Sequence, residues 1–528
     1  MDSFTAVETK TSMNALPIDL RSTGQFPSLL LDYLDQKPEV AKFYETFPTL
    51  EKAQDTIEKK KSFDPETRKV LVKALEKQYQ NLPNKPDFSP LLAPNTYTVT
   101  TGHQLNIFTG PLYIIYKLVT TINLARELKK TYPDCHFVPV YWMATEDHDF
   151  DEIASFHLDG QTHRWQGDYT GAVGRLNPND LAAILKQLPE ELLLFKKAYL
   201  EHSTLADAVR CYMHELFGQE GLVCLDADDP DLKRCFLPTI QEELLQSPSA
   251  ELVSQTSAEL TGLGYKTPVY AREINFFYLD NNIRERIVKE GDQYQVLNTD
   301  LRFQEAEILE LTQQHPERFS PNVVMRPLYQ EVILPNLAYI GGPSEIPYWM
   351  QLKSIFTHYK VPFPMLIPRN FALCLTGGQV DKANKLEIAL EDLFLDETSL
   401  RKKFTKQISN NKLDLQNQRL AMQGLFDSIA EQAAAIDPTL EPTVKAALTR
   451  LEKILLQLEK RLTKAEERNH SSEIGQLMGL KKKLFPNGVA QERYDNLLKF
   501  YLTDPQFIQK LLGTFDPLDF RYLILTEK

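Results

Sequence analysis

The chain is poor in cysteine and has no long apolar run. Its five cysteines lie far apart, without the two-residue spacing of a zinc site: Cys135, Cys211, Cys224, Cys235 and Cys374. No apolar stretch approaches the ~20 residues of a membrane helix. The N-terminal sequence MDSFTAVETKTSM has neither the basic start nor the apolar stretch of a signal peptide. We therefore expect a reduced, cytoplasmic protein with no zinc site and no membrane attachment.

Positive charge is also scarce. The 528 residues include 59 Lys and Arg against 72 Asp and Glu, which gives a formal net charge of −13. Nucleic-acid binding needs concentrated Lys and Arg to displace counterions from phosphates, so we expect no nucleic-acid partner. A hydrophobic content of 42% and a charged content of 25% are typical of a globular protein. The length predicts about three or four domains.

The pattern along the chain changes from helical to mixed near residue 90. Tyr97–Thr101 has the pattern of a strand, Gly102 is expected to end it, and Pro111 to open a helix that runs to about Lys130. A second strand is predicted at Phe137–Thr145. Strand, helix and strand make a βαβ unit, which implies a parallel sheet with a right-handed crossover.

Later segments extend this α/β pattern. Strand-like runs at GLVCLDADDP, LPNLAYIGG and VPFPMLIPRN alternate with helical stretches, which is typical of a doubly wound α/β fold. The segment TPVYAREINFFYLDNNIRERIVKEGDQYQVL alternates at period two and has a turn signal at Asn281-Asn282, which predicts a small antiparallel insert. We assign the regions as follows: N-terminal helical, 1–90; α/β core, 91–250 and 320–385; insert, 251–319; coiled-coil hairpin, 386–484; C-terminal segment, 485–528.

Two stretches repeat with heptad spacing. The first contains Phe404, Ile408, Asn411, Leu415, Gln418, Met422, Leu425 and Ile429, and the second contains Val444, Leu448, Leu451, Leu455, Leu458 and Leu462. A break at Asp437-Pro438 separates them. Two heptad helices joined by a short turn predict an antiparallel coiled-coil hairpin. The polar Asn411 and Gln418 would fix the register of its seam.

The stretch VPVYWMATEDHDFDEI runs from an apolar strand straight into charged residues. Glu146, Asp147, His148 and Asp149 come where the strand ends. Ligands of open parallel sheets bind beyond the carboxyl ends of the strands. The cluster could hold a substrate ammonium, bind Mg²⁺ through oxygen ligands, or supply a His base flanked by carboxylates. The alternative is a solvated acidic loop.

The stretch TTGHQLNIFTGP is a candidate anion pocket. A glycine turn between a strand and a helix presents backbone N–H groups and the helix dipole, and His103 and Gln104 would add side-chain donors beside Gly102. The chain lacks GxGxxG at this point and lacks the Gly-Lys-Ser/Thr ending of a P-loop. An ordinary turn with surface polar residues is the alternative.

A third candidate lies in PNVVMRPLYQEVILPNLAYIGGPSEIPYWMQLK. Gly341 and Gly342 follow a predicted strand, Ser344 is placed to cap a helix, and Glu345 lies in its first turn. Arg326 could hold a carboxylate in a bidentate fork. It could equally be a structural arginine paired with an acid.

Five blocks together resemble the bacillithiol-biosynthesis family of cysteine-adding enzymes: TGHQLNIFTGPLYIIYK, VPVYWMATEDHDFDEI, HPERFSPNVVMRPLYQE, GGPSEIPYWMQLK and FPNGVAQERYDN. The resemblance implies a Rossmann-like core with connecting-peptide insertions, a coiled-coil domain and a homodimer. It also implies the last step of bacillithiol synthesis, in which cysteine is joined to the amino group of glucosaminyl-malate. Members of the family can have Gln in place of His103, which makes Gln104 the better candidate ligand.

The implied reaction places demands on the site. A carboxylate must be activated before it condenses with an amine, so ATP or another nucleotide is expected, with Mg²⁺ as its possible companion. The amine must be deprotonated, by His148 or a neighbouring carboxylate. The two carboxylates of glucosaminyl-malate would pair with Arg326 and Arg369. Two alternatives remain open: a nucleotidyltransferase acting on a small acid, and a non-catalytic dimeric scaffold of the pathway.

Overall fold

The computed structural model of the protein describes residues 12–189 and 192–527. The strands there are, in chain order, Asn14–Ile18 (β1), Thr96–His103 (β2), His136–Met143 (β3), Ser155–Leu158 (β4), Gln161–Arg164 (β5), Val223–Asp226 (β6), Phe276–Asp280 (β7), Ile283–Glu290 (β8), Gln293–Val296 (β9), Arg302–Gln304 (β10), Phe319–Pro321 (β11), Asn336–Gly341 (β12), Met365–Pro368 (β13), Phe371–Leu375 (β14) and Tyr522–Thr526 (β15).

The longer α-helices are Ser28–Leu34 (α1), Ala53–Lys60 (α2), Pro65–Gln78 (α3), Tyr113–Thr131 (α4), Leu193–Glu201 (α5), Leu205–Phe217 (α6), Leu237–Gln246 (α7), Pro248–Gly262 (α8), Glu305–Gln314 (α9), Arg326–Ile333 (α10), Glu345–Gln351 (α11), Gly377–Lys385 (α12), Glu397–Ile408 (α13), Gln416–Ile436 (α14), Glu441–Asn469 (α15), Ser471–Leu484 (α16) and Phe507–Thr514 (α17). Short helices span Leu20–Thr23, Phe150–Ile153, Ala182–Leu185, Pro230–Cys235, Lys353–His358 and Leu498–Tyr501.

A parallel sheet, here called the core sheet, forms the centre of the fold. Its strand order is β13–β12–β2–β3–β6, and every neighbouring pair is parallel. β2, α4 and β3 form the predicted βαβ unit. The expectation that Gly102 ends its strand is wrong: β2 continues to His103, because Gly102 stays extended and pairs with Trp142 of β3. The predicted Rossmann-like α/β class is confirmed.

Helix α4 lies in the interior rather than on a surface. Thirteen of its nineteen residues are buried, because one side packs on β2 and β3 and another on α17. Lys129 and Lys130 occupy its last turn, where positive charge is favourable to the helix dipole. Since the helix is enclosed, its single buried cation, Lys117, is carried into the protein beside the ends of the core strands.

An antiparallel sheet, here called the insert sheet, has the order β10–β9–β8–β7–β11. The turn between β7 and β8 falls at Asn281-Asn282, as predicted. Ser320 of β11, Phe277 of β7 and Arg286 of β8 are paired in register. Paired residues share a face of a sheet, so these three side chains point the same way. That face looks onto the carboxyl ends of the core strands.

A third sheet joins the two ends of the described chain. β15 pairs antiparallel with β1 and parallel with β14. The N-terminal region, expected to be helical, therefore also contains a strand, and the C-terminal segment supplies the middle strand of this sheet. β14 begins just after the end of β13, so the third sheet lies next to the core sheet in the chain.

The predicted antiparallel hairpin is formed by α14 and α15. Arg419 of α14 pairs with Glu459 of α15 at 3.7 Å, although the helices are joined at residues 437–440. The hairpin begins at Gln416 and not at Phe404, which is buried in a separate core cluster. Glu466 accepts hydrogen bonds from Ser409 and from Asn411, and these hold the connecting segment out of helical form. Asn411 therefore lies outside the seam.

Candidate active site

A cleft of about 640 Å³ lies between the carboxyl ends of β2 and β3 and the insert sheet. The predicted site residues that line it are Gly102, His103, Gln104, Glu146, Asp147, Arg326 and Glu345. His148, Asp149, Gly341, Gly342 and Arg369 do not line it. The structure thus brings together residues from all three predicted stretches, as the rule for open parallel sheets requires.

A buried ion pair forms the inner end of the cleft. The Nζ atom of Lys117 donates to both carboxylate oxygens of Glu345, at 2.8 and 2.9 Å, and to the carbonyl oxygen of Gly102 at 2.6 Å. Tyr339 donates its hydroxyl to Glu345 at 2.5 Å. Burial alone would raise the pKa of Glu345, but the charge and hydrogen bonds of Lys117 outweigh it and lower that pKa. The carboxylate therefore keeps its charge at neutral pH.

Arg326 is held beside this pair by aromatic rings. Its guanidinium carbon lies 5.7 Å from the ring centroids of Trp142 and Tyr339 and 5.8 Å from that of Trp349. Its Nη1 atom donates to Gln330 at 3.1 Å, whereas Nη2 is buried and has no hydrogen-bond partner in the described part of the chain. A buried guanidinium nitrogen without an acceptor is costly, which makes it a candidate ligand-binding group.

His103 lies on the same wall as an uncharged imidazole. Burial, followed by the positive charge of Lys117, lowers the pKa of His103 to about 3. Its Nε2 atom is buried without a partner among the described residues, and its ring packs 5.3 Å from that of Tyr113. A neutral ring of this kind can donate or accept one hydrogen bond but adds no charge to the site.

Glu146 and Asp147, which follow β3, have different partners, and their pKa values shift in opposite directions. Glu146 pairs with the buried Lys233. Burial raises the pKa of Glu146, and the attraction of Lys233 only partly opposes this. Burial would also raise the pKa of Asp147, but hydrogen bonding by His148, whose backbone N–H donates to it at 2.8 Å, and the charge of Arg284 outweigh it and lower that pKa to about 2. The end of β3 thus carries one carboxylate whose pKa is raised and one that stays charged.

His148 follows Asp147 in the chain but does not line the cleft. Its side chain is 46% exposed, and its Nδ1 atom lies 2.7 Å from Nη1 of Arg284 in β8. Asp149 caps the short helix that begins at Phe150, because its side chain accepts from the backbone N–H of Glu152 at 3.2 Å. Asp149 is therefore engaged in local structure.

The placement of Arg369 differs from the expectation that it binds substrate. Its guanidinium makes two hydrogen bonds with Glu492, at 2.7 and 3.1 Å, and both side chains are buried. Its backbone N–H donates to the carbonyl oxygen of Gly341 at 2.9 Å. Both Nη atoms of Arg369 thus donate to Glu492. Arg369 therefore links the end of β13 to the C-terminal segment.

Sequence reasoning missed several cleft residues. Lys117 lies within one of the family blocks but looks like a surface lysine on a helix, and only the enclosure of α4 makes it part of the site. Arg284 and Arg286 alternate along β8 and share its cleft face, and Arg272 lines the cleft from the segment before β7. The alternation Arg-Glu-Arg was a usable signal, since residues two apart in a strand point the same way.

The described residues contain neither a candidate metal site nor a candidate membrane-spanning helix. Within residues 12–189 and 192–527, no group of three or more His, Cys, Asp and Glu side chains is arranged to hold a metal ion. In the same ranges, every helix is too short or too polar to cross a lipid bilayer.

Two family models together cover nearly the whole described chain. Residues 13–370 match the N-terminal Rossmann-like domain of the bacillithiol biosynthesis protein BshC, and residues 372–527 match its C-terminal coiled-coil domain. The chain belongs to the BshC family. The resemblance drawn from the five sequence blocks is thereby confirmed, and so is the combination of an α/β core with a coiled coil.

Individual relatives agree over their full length. Proteins named as the cysteine ligase BshC are 45% identical in Flavobacterium johnsoniae, 43% in Christiangramia forsetii and 39% in Cytophaga hutchinsonii. These matches cover 96%, 96% and 95% of this chain and 99%, 98% and 97% of the relatives. A crystal structure named as an arginyl-tRNA synthetase from Campylobacter jejuni is 10% identical over 85% of this chain and 98% of its own, with a TM-score of 0.22, which is too low to support any argument.

Proposed function

We propose that the protein is a cytoplasmic ligase that forms an amide between the carboxyl group of cysteine and the amino group of glucosaminyl-malate. Its relatives, at up to 45% identity over the full length, are named as cysteine ligases. The observation that carries the proposal is the inner end of the cleft, where the free Nη2 of Arg326 and the charged carboxylate of Glu345 flank Tyr339.

The inner end suits a small amino acid. Arg326 offers a donor for the carboxylate of cysteine, and Glu345 offers an anion for its ammonium group. The surrounding rings of Trp142, Tyr339 and Tyr348 provide an apolar wall for the short side chain. The charges of the zwitterion and of the pocket are then complementary.

Activation of the carboxyl group is the role we assign to ATP, with Mg²⁺ accompanying its phosphates. The cleft fits a polyphosphate, because the guanidinium group of Arg286 lines it and has no ion-pair partner within residues 12–189 and 192–527. Gln104 adds an amide at the same wall; its Nε2 atom donates to Glu152 at 3.1 Å. ATP would supply the activation, and these side chains would hold its anionic part.

The amine of the second substrate must lose a proton as it attacks. Glu146 lines the cleft, and its raised pKa suits a carboxylate that accepts a proton near neutral pH. The amine nitrogen would bond to the carbonyl carbon of cysteine, the activating group would leave with its bonding electrons, and the amine proton would pass to Glu146. Asp147, which stays charged, would hold the substrate ammonium until it loses a first proton to solvent and becomes the neutral amine that attacks.

We further propose that the protein is a homodimer that associates through its hairpin. The residues of α14 include none that is buried, and the hairpin exposes Leu420, Leu425, Ile436, Ile454 and Leu458. Leu425 and Leu458 belong to the predicted heptads, and apolar residues left open within one chain are typical of helices that pack against a second copy.

The direct test is an assay of the purified full-length protein with cysteine, glucosaminyl-malate and each nucleoside triphosphate in turn, followed by product mass. We expect the amide with ATP, no product when any one substrate is omitted, and strong loss in Arg326→Ala. A product that carries a nucleotide would instead identify a nucleotidyltransferase. No new mass with any triphosphate would contradict the proposal.

A further inference from the structure

We infer that Tyr270, Arg272 and Val323, here called the outer subsite, bind the sugar ring and malate group of the acceptor at the mouth of the cleft. This inference rests on the proposed function, since it names how that reaction's second substrate is held. It concerns a part of the cleft wall that sequence reasoning did not single out.

Tyr270 is an aromatic side chain open to solvent in a functional cleft. It is 77% exposed, and it is the only aromatic among the strongly exposed large apolar side chains of the described residues. It lines the cleft together with Arg272 and Ile274. All three side chains therefore border the same cleft, although the chain bends at residues 273–274. An exposed ring beside a cationic cleft is suited to pack on a flat ligand.

The backbone that carries Tyr270 is fixed on both sides. The N–H and the carbonyl oxygen of Val269 both bond to the side-chain amide of the buried Gln351. On the other side, Asn275 accepts from the N–H of Arg272 at 3.0 Å and donates to the carbonyl oxygen of Arg272 at 2.8 Å. Tyr270 is therefore an exposed ring on a rigid segment, and binding to it costs little ordering of the backbone.

Asn275 also fixes the segment that carries Val323. Asn322 donates its side-chain amide to Oδ1 of Asn275 at 2.8 Å, and its backbone N–H donates to the carbonyl oxygen of Asn275 at 3.1 Å. The next residue, Val323, is 45% exposed and lines the cleft. Through Asn275, the backbone segments that carry Tyr270 and Val323 are held in one hydrogen-bonded unit.

The chemistry of the outer subsite matches the acceptor. Glucosaminyl-malate has a ring with an amino group and a malate group on adjacent carbons, and malate adds two carboxylates. With the amine directed inward to cysteine, the ring would lie between Tyr270 and Val323. The carboxylates would then face Arg272, which has no acid partner among the described residues. A nucleobase on Tyr270 is the competing occupant.

The test is calorimetric binding to the full-length protein, with Tyr270→Ala, Tyr270→Phe and the control Leu263→Ala. Leu263 is 43% exposed and lies outside the cleft lining. The ligands are glucosaminyl-malate, malate alone and ATP. Loss of one packed aromatic contact predicts about fivefold weaker binding of glucosaminyl-malate to Tyr270→Ala. Tyr270→Phe and Leu263→Ala should bind as the parent does, and malate and ATP should be unaffected in all three.

Parental affinity of Tyr270→Ala for glucosaminyl-malate would overturn the inference, and so would weaker binding of ATP alone, which would place the nucleobase there. Absence of acceptor binding by the parent would also overturn it. Because calorimetry needs no turnover, the proposed function is judged separately. Tyr270-dependent acceptor binding without amide formation in the assay would support the outer subsite and refute the ligase.

Discussion

Arg284 Nη1 lies 2.7 Å from Nδ1 of His148, and this contact joins the insert sheet to the acidic end of β3. A guanidinium group only donates hydrogen bonds, so Nδ1 must be the acceptor and the proton of a neutral ring must lie on Nε2. In this arrangement His148 has no free lone pair with which to take a proton from the substrate. Of the two roles predicted for it, the geometry favours orientation over general base catalysis.

Substitution of His148 separates these roles. We expect His148→Ala to fold normally and to form product more slowly, because Arg284 loses its anchor. His148→Gln should recover much of the activity, since an amide oxygen can accept from Arg284. Steady-state rates and KM values for all three proteins are the measurement. If both variants lose about 10²–10⁴-fold in rate, the size typical of a lost base, then His148 is the base after all.

We expect the substitutions Arg326→Ala and Arg369→Ala to differ: the first should weaken cysteine binding and the second should lower stability. Arg369→Ala strands Glu492 in the interior, and the loss of one partner from a buried ion pair costs about 3–5 kcal/mol. Arg326→Ala removes a cation that has no acid partner among the described residues, so the cost in stability should be smaller and cysteine binding should fall. Urea unfolding and cysteine calorimetry measure both. Equal destabilisation with unchanged cysteine affinity would refute the assignment of Arg326.

His103 makes stability depend on pH in a predictable direction. Its pKa is about 3 in the folded protein, against 6.5 as the ordinary value, so below pH 6.5 the unfolded chain binds a proton that the folded protein does not. Stability is therefore full above pH 6.5 and is lost as the pH falls toward 3, by up to about 1.4 kcal/mol per unit. His103→Gln should lose less stability on acidification than the parent.

The measurement for His103 is the free energy of unfolding of both proteins at a series of pH values from 7 to about 4.5. Other acidic groups titrate alike in the two proteins, so the difference between the curves isolates His103. Parallel curves would mean that the imidazole is protonated in the folded protein.

The hairpin prediction concerns association. Leu451 and Leu455 lie on α15, and Leu451 is 37% exposed within one chain. Replacement of both by Asp would place charge in an apolar contact, at a cost of several kcal/mol if a second copy packs there. We expect light scattering to report a monomer, with an unchanged circular dichroism spectrum. An unchanged mass in the folded variant would locate the dimer contact elsewhere.

Sequence patterns predicted the features that depend on near neighbours. The βαβ unit and the turn at Asn281-Asn282 follow from periodicity and turn residues within a few positions. Arg369 was misjudged because its partner, Glu492, is 123 residues away and no local pattern points to it. Lys117 was missed for a related reason: its ion-pair partner, Glu345, is 228 residues away.

The site residues also divide into those that local sequence could predict and those that depend on distant parts of the chain. Strand ends could be located from apolar runs, which is why residues of β2, β3 and the start of α11 were proposed together. The arginines of the insert sheet could not be placed, since nothing in a strand's own sequence tells which of its faces will meet another sheet. Asp149 was grouped with its neighbours by charge, although a cap is the commoner use of an aspartate before a helical turn.

The pairing of β1 with β15 has a consequence for biosynthesis. Asn14 and Thr526 are partners although about 500 residues separate them. At roughly 5–20 residues per second, a ribosome would need roughly half a minute to two minutes between the two strands. Until β15 emerges, β1 and β14 lack the strand that lies between them and expose unpaired edges, which are templates for wrong association. The nascent chain should therefore depend on chaperones until synthesis of β15 is complete.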